Sequence, residues 1–273
     1  MRTTRRTHTK YHSRRRFKFG CRTETHNCCH VLLRLCARVL PRIPLIEDLT
    51  TGPIPHSSFL LVEFTGASQW YNASFTISAG WLKTGGGPLG YNSLAHPPDD
   101  VRSKLNELGL NCEQLESEDK LYITDLYTAT LGQKSKEKIA IPSLKVADLS
   151  IEFSRNIMRG PPEPDTLAIV DNGSTLARFN DEKNWVEFIL TRIIPSAKLL
   201  KNTGIAGIIR EIHSAWVYEQ LEAAADGIID FSVEEEGKTL RDVMRIRSMR
   251  NAHFDREWHE LKIGENFEIT LEK

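Results

Sequence analysis

Short apolar runs alternate with stretches of helical spacing from about residue 43 to the end of the chain. Ser58 to Phe64 is an apolar run that follows a turn rich in Gly52, Pro53 and Pro55, the pattern of a buried strand. Asn72 to Leu82 suits a helix that Gly85, Gly86 and Gly87 end. Pro88 to Leu94 reads as a second strand. Pro98 to Leu108 reads as a helix, with proline in its first turn and Asp99 and Asp100 near its positive end. Lys120 to Asp125 is a third strand. Ser143 caps a helix with Val146, Leu149, Phe153 and Ile157 on one face, broken by Pro161, Pro162 and Pro164. Thr166 to Asp171 is a central strand ending in an acid. Asp181 to Ile194 is helical, Gly204 to His213 is a strand, and Ile228 to Glu234 and Arg241 to Met249 read as late antiparallel strands. Strands alternating with helices predict an α/β three-layer sandwich with a mostly parallel central sheet. No internal repeat is visible.

Charge divides the chain in two. Its 273 residues hold 36 basic and 36 acidic side chains, yet residues 1–43 carry twelve Lys or Arg and a single acid, Glu24. The remaining residues are correspondingly acidic, which excludes a globally basic nucleic-acid binder but not a basic arm on an acidic body. The division places a basic extension at 1–43 and one domain at 44–273. Residues 1–30 lack apolar periodicity, so disorder is expected. Beside disorder stand four readings: nucleic-acid contact through Arg14, Arg15, Arg16 and Lys18, a transit peptide, a zinc site at Cys21, Cys28, Cys29 and His30, and a start codon placed too early.

Charges and prolines interrupt the longest apolar candidate, Val31 to Ile46, so no membrane span and no secretory signal are expected. Four of five cysteines lie in the arm and the body has only Cys112, so the body has no disulfide framework and a cytoplasmic setting is expected.

The ordered series Ile46 to Leu61, Asp99 to Leu110, Leu167 to Asp171, Ala224 to Ile229 and Ile246 to His253 resembles a KaiC-type domain of the RecA superfamily. The resemblance implies a RecA-like fold, a P-loop ATPase ancestry of bacterial or archaeal type, and assembly into rings with ATP between neighbouring subunits. It also implies roles in clock, signalling or motility regulation.

A P-loop needs G-x-x-x-x-G-K-[ST] between a strand and a helix, because its backbone N–H groups wrap phosphate, its lysine adds charge and its hydroxyl holds Mg²⁺. The stretch in that place runs from Gly66 to Ala73, followed by Ser74. Gly66 matches the first glycine, whereas Tyr71, Asn72 and Ala73 stand where glycine, lysine and the metal hydroxyl belong. Ser74 is one position along the helix and points about 100° away. Asp171 resembles the strand-end acid that holds Mg²⁺ through water; the bland alternative is an aspartate capping the Asn172-Gly173 turn. The place of the water-activating acid reads Leu94 to Pro97, with His96 as a general-base candidate or an ordinary loop histidine. Of the Lys-Met-Arg that reaches a neighbour's phosphate in the family, only Arg250 matches.

These losses lead to the expectation of a pseudo-ATPase that serves as a regulatory or scaffold protein, needing no cofactor and meeting its own copies or a protein partner. The alternatives are a weak ATP or ADP switch built on Gly66, Ser68, Asn72, Ser74, Asp171 and Arg250, and a DNA-associated recombinase paralog. Trp70, Tyr71 and Trp81 are expected to plug the phosphate cavity rather than form a stacking surface. His213, His253 and His259 match no strong zinc spacing, and no Ser/His/Asp order can be singled out.

Overall fold

The structure, a computed structural model, describes residues 42–158 and 165–272. The basic extension up to residue 41 and the three prolines expected to end the helix after Ser143 lie outside the described residues.

Among the described residues, nine strands form one sheet in the order β3-β2-β4-β5-β1-β6-β7-β8-β9. They are β1 (Phe59–Phe64), β2 (Leu89–Ser93), β3 (Leu121–Asp125), β4 (Leu167–Val170), β5 (Thr203–Ile209), β6 (Gly227–Glu236), β7 (Thr239–Met249), β8 (His259–Ile263) and β9 (Ile269–Leu271). Pairing is parallel from β3 through β6 and antiparallel from β6 to β9. The predicted sandwich with late antiparallel strands is therefore observed. β8 and β9, too short and polar to read in sequence, extend it. The two edge strands are short: β3 has five residues, with a single bridge from Asp125 to Ala140, and β9 has three.

β1 shows why the sheet has two cores. Its Leu60, Val62 and Phe64 pack into one apolar layer and its Phe59 and Leu61 into the other, as alternation along a strand requires. On the first side lie α1 (Trp70–Lys83), α2 (Pro98–Glu107) and α3 (Cys112–Ser117), with Trp70, Phe75, Val101, Leu105 and Cys112 buried. On the second lie α4 (Tyr127–Thr130), α5 (Val146–Met158), α6 (Ser174–Ala177), α7 (Glu182–Phe188), α8 (Ile194–Leu200) and α9 (Ala215–Ala224).

Helix boundaries follow local chemistry. α1 begins two residues before the predicted Asn72, because Trp70 and Tyr71 pack as its first turn. It ends in a Schellman arrangement: Gly86 N–H bonds the Trp81 carbonyl, Gly85 N–H bonds the Leu82 carbonyl, and Gly85 takes φ +77°. A Cβ on Gly86 would lie 2.4 Å from the Trp81 ring. The helix predicted from Asp181 to Ile194 runs on to Leu200 through a π segment, Ile189–Ile193. Pro195 follows that segment; lacking an N–H and crowding the carbonyl four residues back, it favours the wider turn. The strand predicted to reach His213 stops at Ile209, and Glu211 then adopts φ +66°. Among the described residues no helix is long and apolar enough to cross a membrane.

Candidate functional site

The carboxyl ends of β1, β2 and β4 converge, and the loop Thr65 to Gln69 joins β1 to α1 there. Ser68 closes a tight turn: its N–H and its hydroxyl both donate to the Thr65 carbonyl, at 3.0 and 2.7 Å. Thr65 N–H bonds the Phe231 carbonyl, and Gln69 donates to Asp242 at 3.3 Å, so the loop is tied to β6 and β7. Gly66 is exposed and has open space where a side chain would stand. Asn72 donates to the Gln69 side chain at 2.8 Å. Ser74 is fully buried, donates to the Tyr71 carbonyl and lies 3.0 Å from the Tyr91 hydroxyl.

Trp70 is the first residue of α1 and is fully buried. Its indole Nε1 donates to the Asp171 backbone carbonyl at 2.7 Å. It fits because residue 207 of the neighbouring strand β5 is glycine: a Cβ there would stand 2.3 Å from Nε1 and 2.8 Å from the same carbonyl. Phe64 and Phe231 complete the packing at ring distances of 6.2 and 5.5 Å. Tyr71 meets His96 edge-on at 4.8 Å, and its hydroxyl accepts from Asn172 at 3.0 Å. Burial, with Asp171 nearby, pushes the Tyr71 and Tyr91 hydroxyls up from their ordinary range, so both stay neutral. Trp81 stands apart: it sits at the far end of α1 and bonds the Gly87 carbonyl.

Asp171 is wholly buried. Its carboxylate accepts the Leu94 N–H at 2.8 Å and the Ala95 N–H at 3.2 and 3.0 Å, one for each oxygen, and lies 3.3 Å from His96 Nδ1. Asp171 therefore caps the loop after β2 rather than the Asn172-Gly173 turn. His96 is accordingly a partner of Asp171, held between Tyr71 and Phe75.

Five of the six candidate residues thus lie around one end of the sheet, and Arg250 does not. Gly227 pairs with Leu60 on one side and Met249 on the other, whereas Phe231 pairs with Phe64 and Met244. Arg250 follows Met249 beside the start of β1, a strand length of about 13 Å from its end, and donates to the Ala223 carbonyl at 2.7 Å.

Two polar groupings flank this end and were not legible in the sequence. His213 is not an exposed loop residue: its side chain is 4 % exposed. Its Nε2 lies 2.7 Å from Ser174 Oγ and its Nδ1 3.4 Å from Glu182. The set resembles a hydrolase triad in chain order, but Ser174 is 2 % exposed and its hydroxyl also accepts the Ile209 N–H. It ties the starts of α6 and α7 to the segment after β5 and presents no nucleophile. Burial pulls the His213 pKa down from 6.5, against the pull of Glu182. The second grouping sets Glu63 and Asp230, on adjacent strands, against Arg210, Arg245 and Arg247. Burial and a hydrogen bond that protonated Glu63 donates to Glu222 push Glu63 up to about 7, although Arg247 opposes this.

His259 opens β8 beside Asp255 rather than lying in a loop, and among the described residues no group of three or more His, Cys, Asp or Glu could hold a metal. The chain's Gly237-Lys238-Thr239 is the tip of the β6–β7 hairpin, where Gly237 takes φ +66°, and opens no helix. Cys112 is buried, which pushes its thiol up to about 11.

A parallel sheet with helices on both faces, a strand–loop–helix at β1 and an antiparallel extension beyond β6 define the RecA-like α/β class. The family model "ATPase: KaiC" matches residues 43–272, and the chain belongs to that family. Among solved structures it is similar to the KaiC-like protein PH0186 from the hyperthermophilic archaeon Pyrococcus horikoshii OT3, with a TM-score of 0.63 and 19 % identity over 87 % of this chain and 99 % of that one. At that identity the likeness shows the fold alone. Comparison with curated proteins gives no match.

Proposed function

We propose that this KaiC-family chain does not hydrolyse ATP efficiently and works as a regulatory or scaffold protein through contacts with its own copies or a protein partner. The observation that carries the reading is the engagement of Asp171. A strand-end acid that serves Mg²⁺ needs an oxygen that a metal-bound water can reach, and the carboxylate of Asp171 is fully buried, with both oxygens accepting backbone N–H bonds and His96 beside one of them.

The other residues support the same reading. ATP with Mg²⁺ asks for a charged lysine and a hydroxyl ligand at the start of the helix. Asn72 brings no charge and is bonded to Gln69, and Ala73 has no ligand atom. Ser74 faces Tyr91, and the aromatic rings of Trp70 and Tyr71 occupy the first turn of α1. A charge-assisted bond contributes about 1.5–3 kcal/mol, so loss of the lysine alone weakens binding about tenfold or more. The residues present do not fit the nucleotide.

A single-turnover assay with radiolabelled ATP, Mg²⁺ and excess protein tests this. We expect no Mg²⁺-dependent cleavage above the protein-free blank. Cleavage that disappears in Asp171→Asn would overturn the proposal. Sedimentation velocity without nucleotide tests the association, and an unchanged monomer at all concentrations removes self-assembly from it.

A further inference from the structure

Glu63 is the charged residue of an otherwise apolar β1, and its side chain is 4 % exposed. Alternation along the strand turns it to the second side of the sheet, with Phe59 and Leu61. Asp230 stands beside it in register on β6 and is fully buried. Arg210, just after β5, lies 2.6 Å from Asp230 and 3.7 Å from Glu63. On β7, Arg245 lies 2.8 Å from Asp230 and stacks on Trp258 at 4.4 Å.

A β-bulge brings the last partner in. Ile228 pairs with Ser248 but Ile229 pairs with Ile246, so Arg247 is an extra residue on β7. From there its guanidinium reaches across β6 to β1. One of its nitrogens lies 2.7 Å from Glu63 and the other 3.1 Å from Glu222, on α9. One guanidinium thus joins the sheet to the helix above it, and protonated Glu63 donates a second link to Glu222. The groups facing Glu63 are therefore Arg210, Asp230, Arg247 and Glu222, with Arg245 beyond Asp230. The two glutamates differ in freedom: Glu63 cannot leave the sheet, whereas Glu222 is 32 % exposed and has water within reach.

We infer that Glu63, Glu222 and Arg247 form a proton-operated latch on the last turn of α9, closed while Glu63 and Glu222 share a proton and open once that proton is lost. Without it, two carboxylates would face one another beside the buried charge of Asp230, and like charges so placed repel. Glu63 keeps Arg247 and Arg210 as counter-charges, so Glu222 is the group that turns out to solvent, and α9 loses its tie to β1. The direction of the Glu63 shift, upward by burial and by the bond to Glu222, supports this order of events. The latch shares no residue with the site around Asp171 and does not depend on the reading of ATP.

Amide NMR of the ¹⁵N-labelled full chain from pH 5.5 to 8.5 tests it. We expect the Leu221 to Ala225 amides to shift with a midpoint of about 7. Their protection from hydrogen exchange, corrected for the intrinsic pH dependence, should fall about 3- to 10-fold from pH 6 to pH 8, the value of one hydrogen bond. The last turn of α2, on the other side of the sheet, is the control and should not change. Glu63→Gln and Glu222→Gln each supply a permanent amide donor, so the latch stays closed and the fall disappears in both. Protection of α9 that is equal at pH 6 and pH 8, a fall shared by α2, or a fall that persists in Glu222→Gln would each overturn the inference. Glu222→Gln replaces a partly exposed side chain and carries the test should Glu63→Gln fail to fold.

Discussion

Trp70 donates its indole hydrogen to the backbone carbonyl of Asp171 at 2.7 Å, linking the first turn of α1 to the end of β4. Both groups are fully buried, so the bond has no competition from water. It fixes the helix that follows β1 against the strand whose acid would serve a metal.

Trp70→Phe keeps most of the apolar volume and removes the donor. Leaving the Asp171 carbonyl short of a buried partner should cost about 1–3 kcal/mol. Urea unfolding of the two proteins measures it, and equal midpoints would show that the bond contributes nothing.

Gly207→Ala tests the same contact from the opposite strand. The added methyl would press on Trp70 Nε1 and the Asp171 carbonyl, at 2.3 and 2.8 Å. Overpacking of this kind costs about 1–3 kcal/mol. The loss should shrink when Trp70→Phe is already present, and a double-mutant cycle reads that coupling.

Asp171→Asn presents an amide to the Leu94 and Ala95 N–H groups, which need acceptors. The proposal of a structural aspartate predicts a lower melting temperature for the variant, with Mg²⁺ and ATP shifting neither protein. A Mg²⁺-ATP stabilisation found only with aspartate would contradict it.

His213 sets one pH dependence. Its pKa in the folded chain lies below the ordinary 6.5, so the unfolded chain takes up the proton first as pH falls. The stability tied to neutral His213 is whole above pH 6.5 and is lost as pH falls through that value towards the folded one. The stability gap between the parent and His213→Gln should therefore narrow from pH 7.5 to pH 5.5; a constant gap refutes the assignment.

Glu63 acts in the opposite sense. Its pKa rises from 4.5 to about 7 on folding, so the folded chain holds the proton longer. Its contribution is whole below pH 4.5 and is lost as pH rises towards 7. Glu63→Gln should be more stable relative to the parent at pH 8 than at pH 5, by chemical denaturation at both.

Mostly apolar strands, such as Phe59 to Phe64 with its single Glu63, and Leu167 to Val170, are legible because helices cover both faces of a central parallel strand. The series of motifs placed the chain in its family, and Gly66, Ser68, Asn72, Ser74 and Asp171 lie around one end of the sheet. Other features depend on partners distant in sequence. His213 looks like a surface histidine until Ser174, 39 residues earlier, is seen beside it. Arg250, which the motif assigns to a neighbour's phosphate, stands at the other end of the sheet from Gly66, a placement set by the antiparallel register and not visible in the motif. The early start of α1 was hidden because aromatic residues after a glycine turn carry no helix signal; burial against β5 and β6 supplies it.

The two borders of the sheet have a consequence for how copies of this chain can meet. A neighbour that extends a sheet needs a row of free backbone groups, and the three residues of β9 offer only a fragment of one, while the end of β3 is met by Ala140. Among the described residues, lengthening the ribbon from molecule to molecule therefore has little foothold, and side chains are left as the means of joining copies, a kind of joint that substitutions can loosen without disturbing the fold.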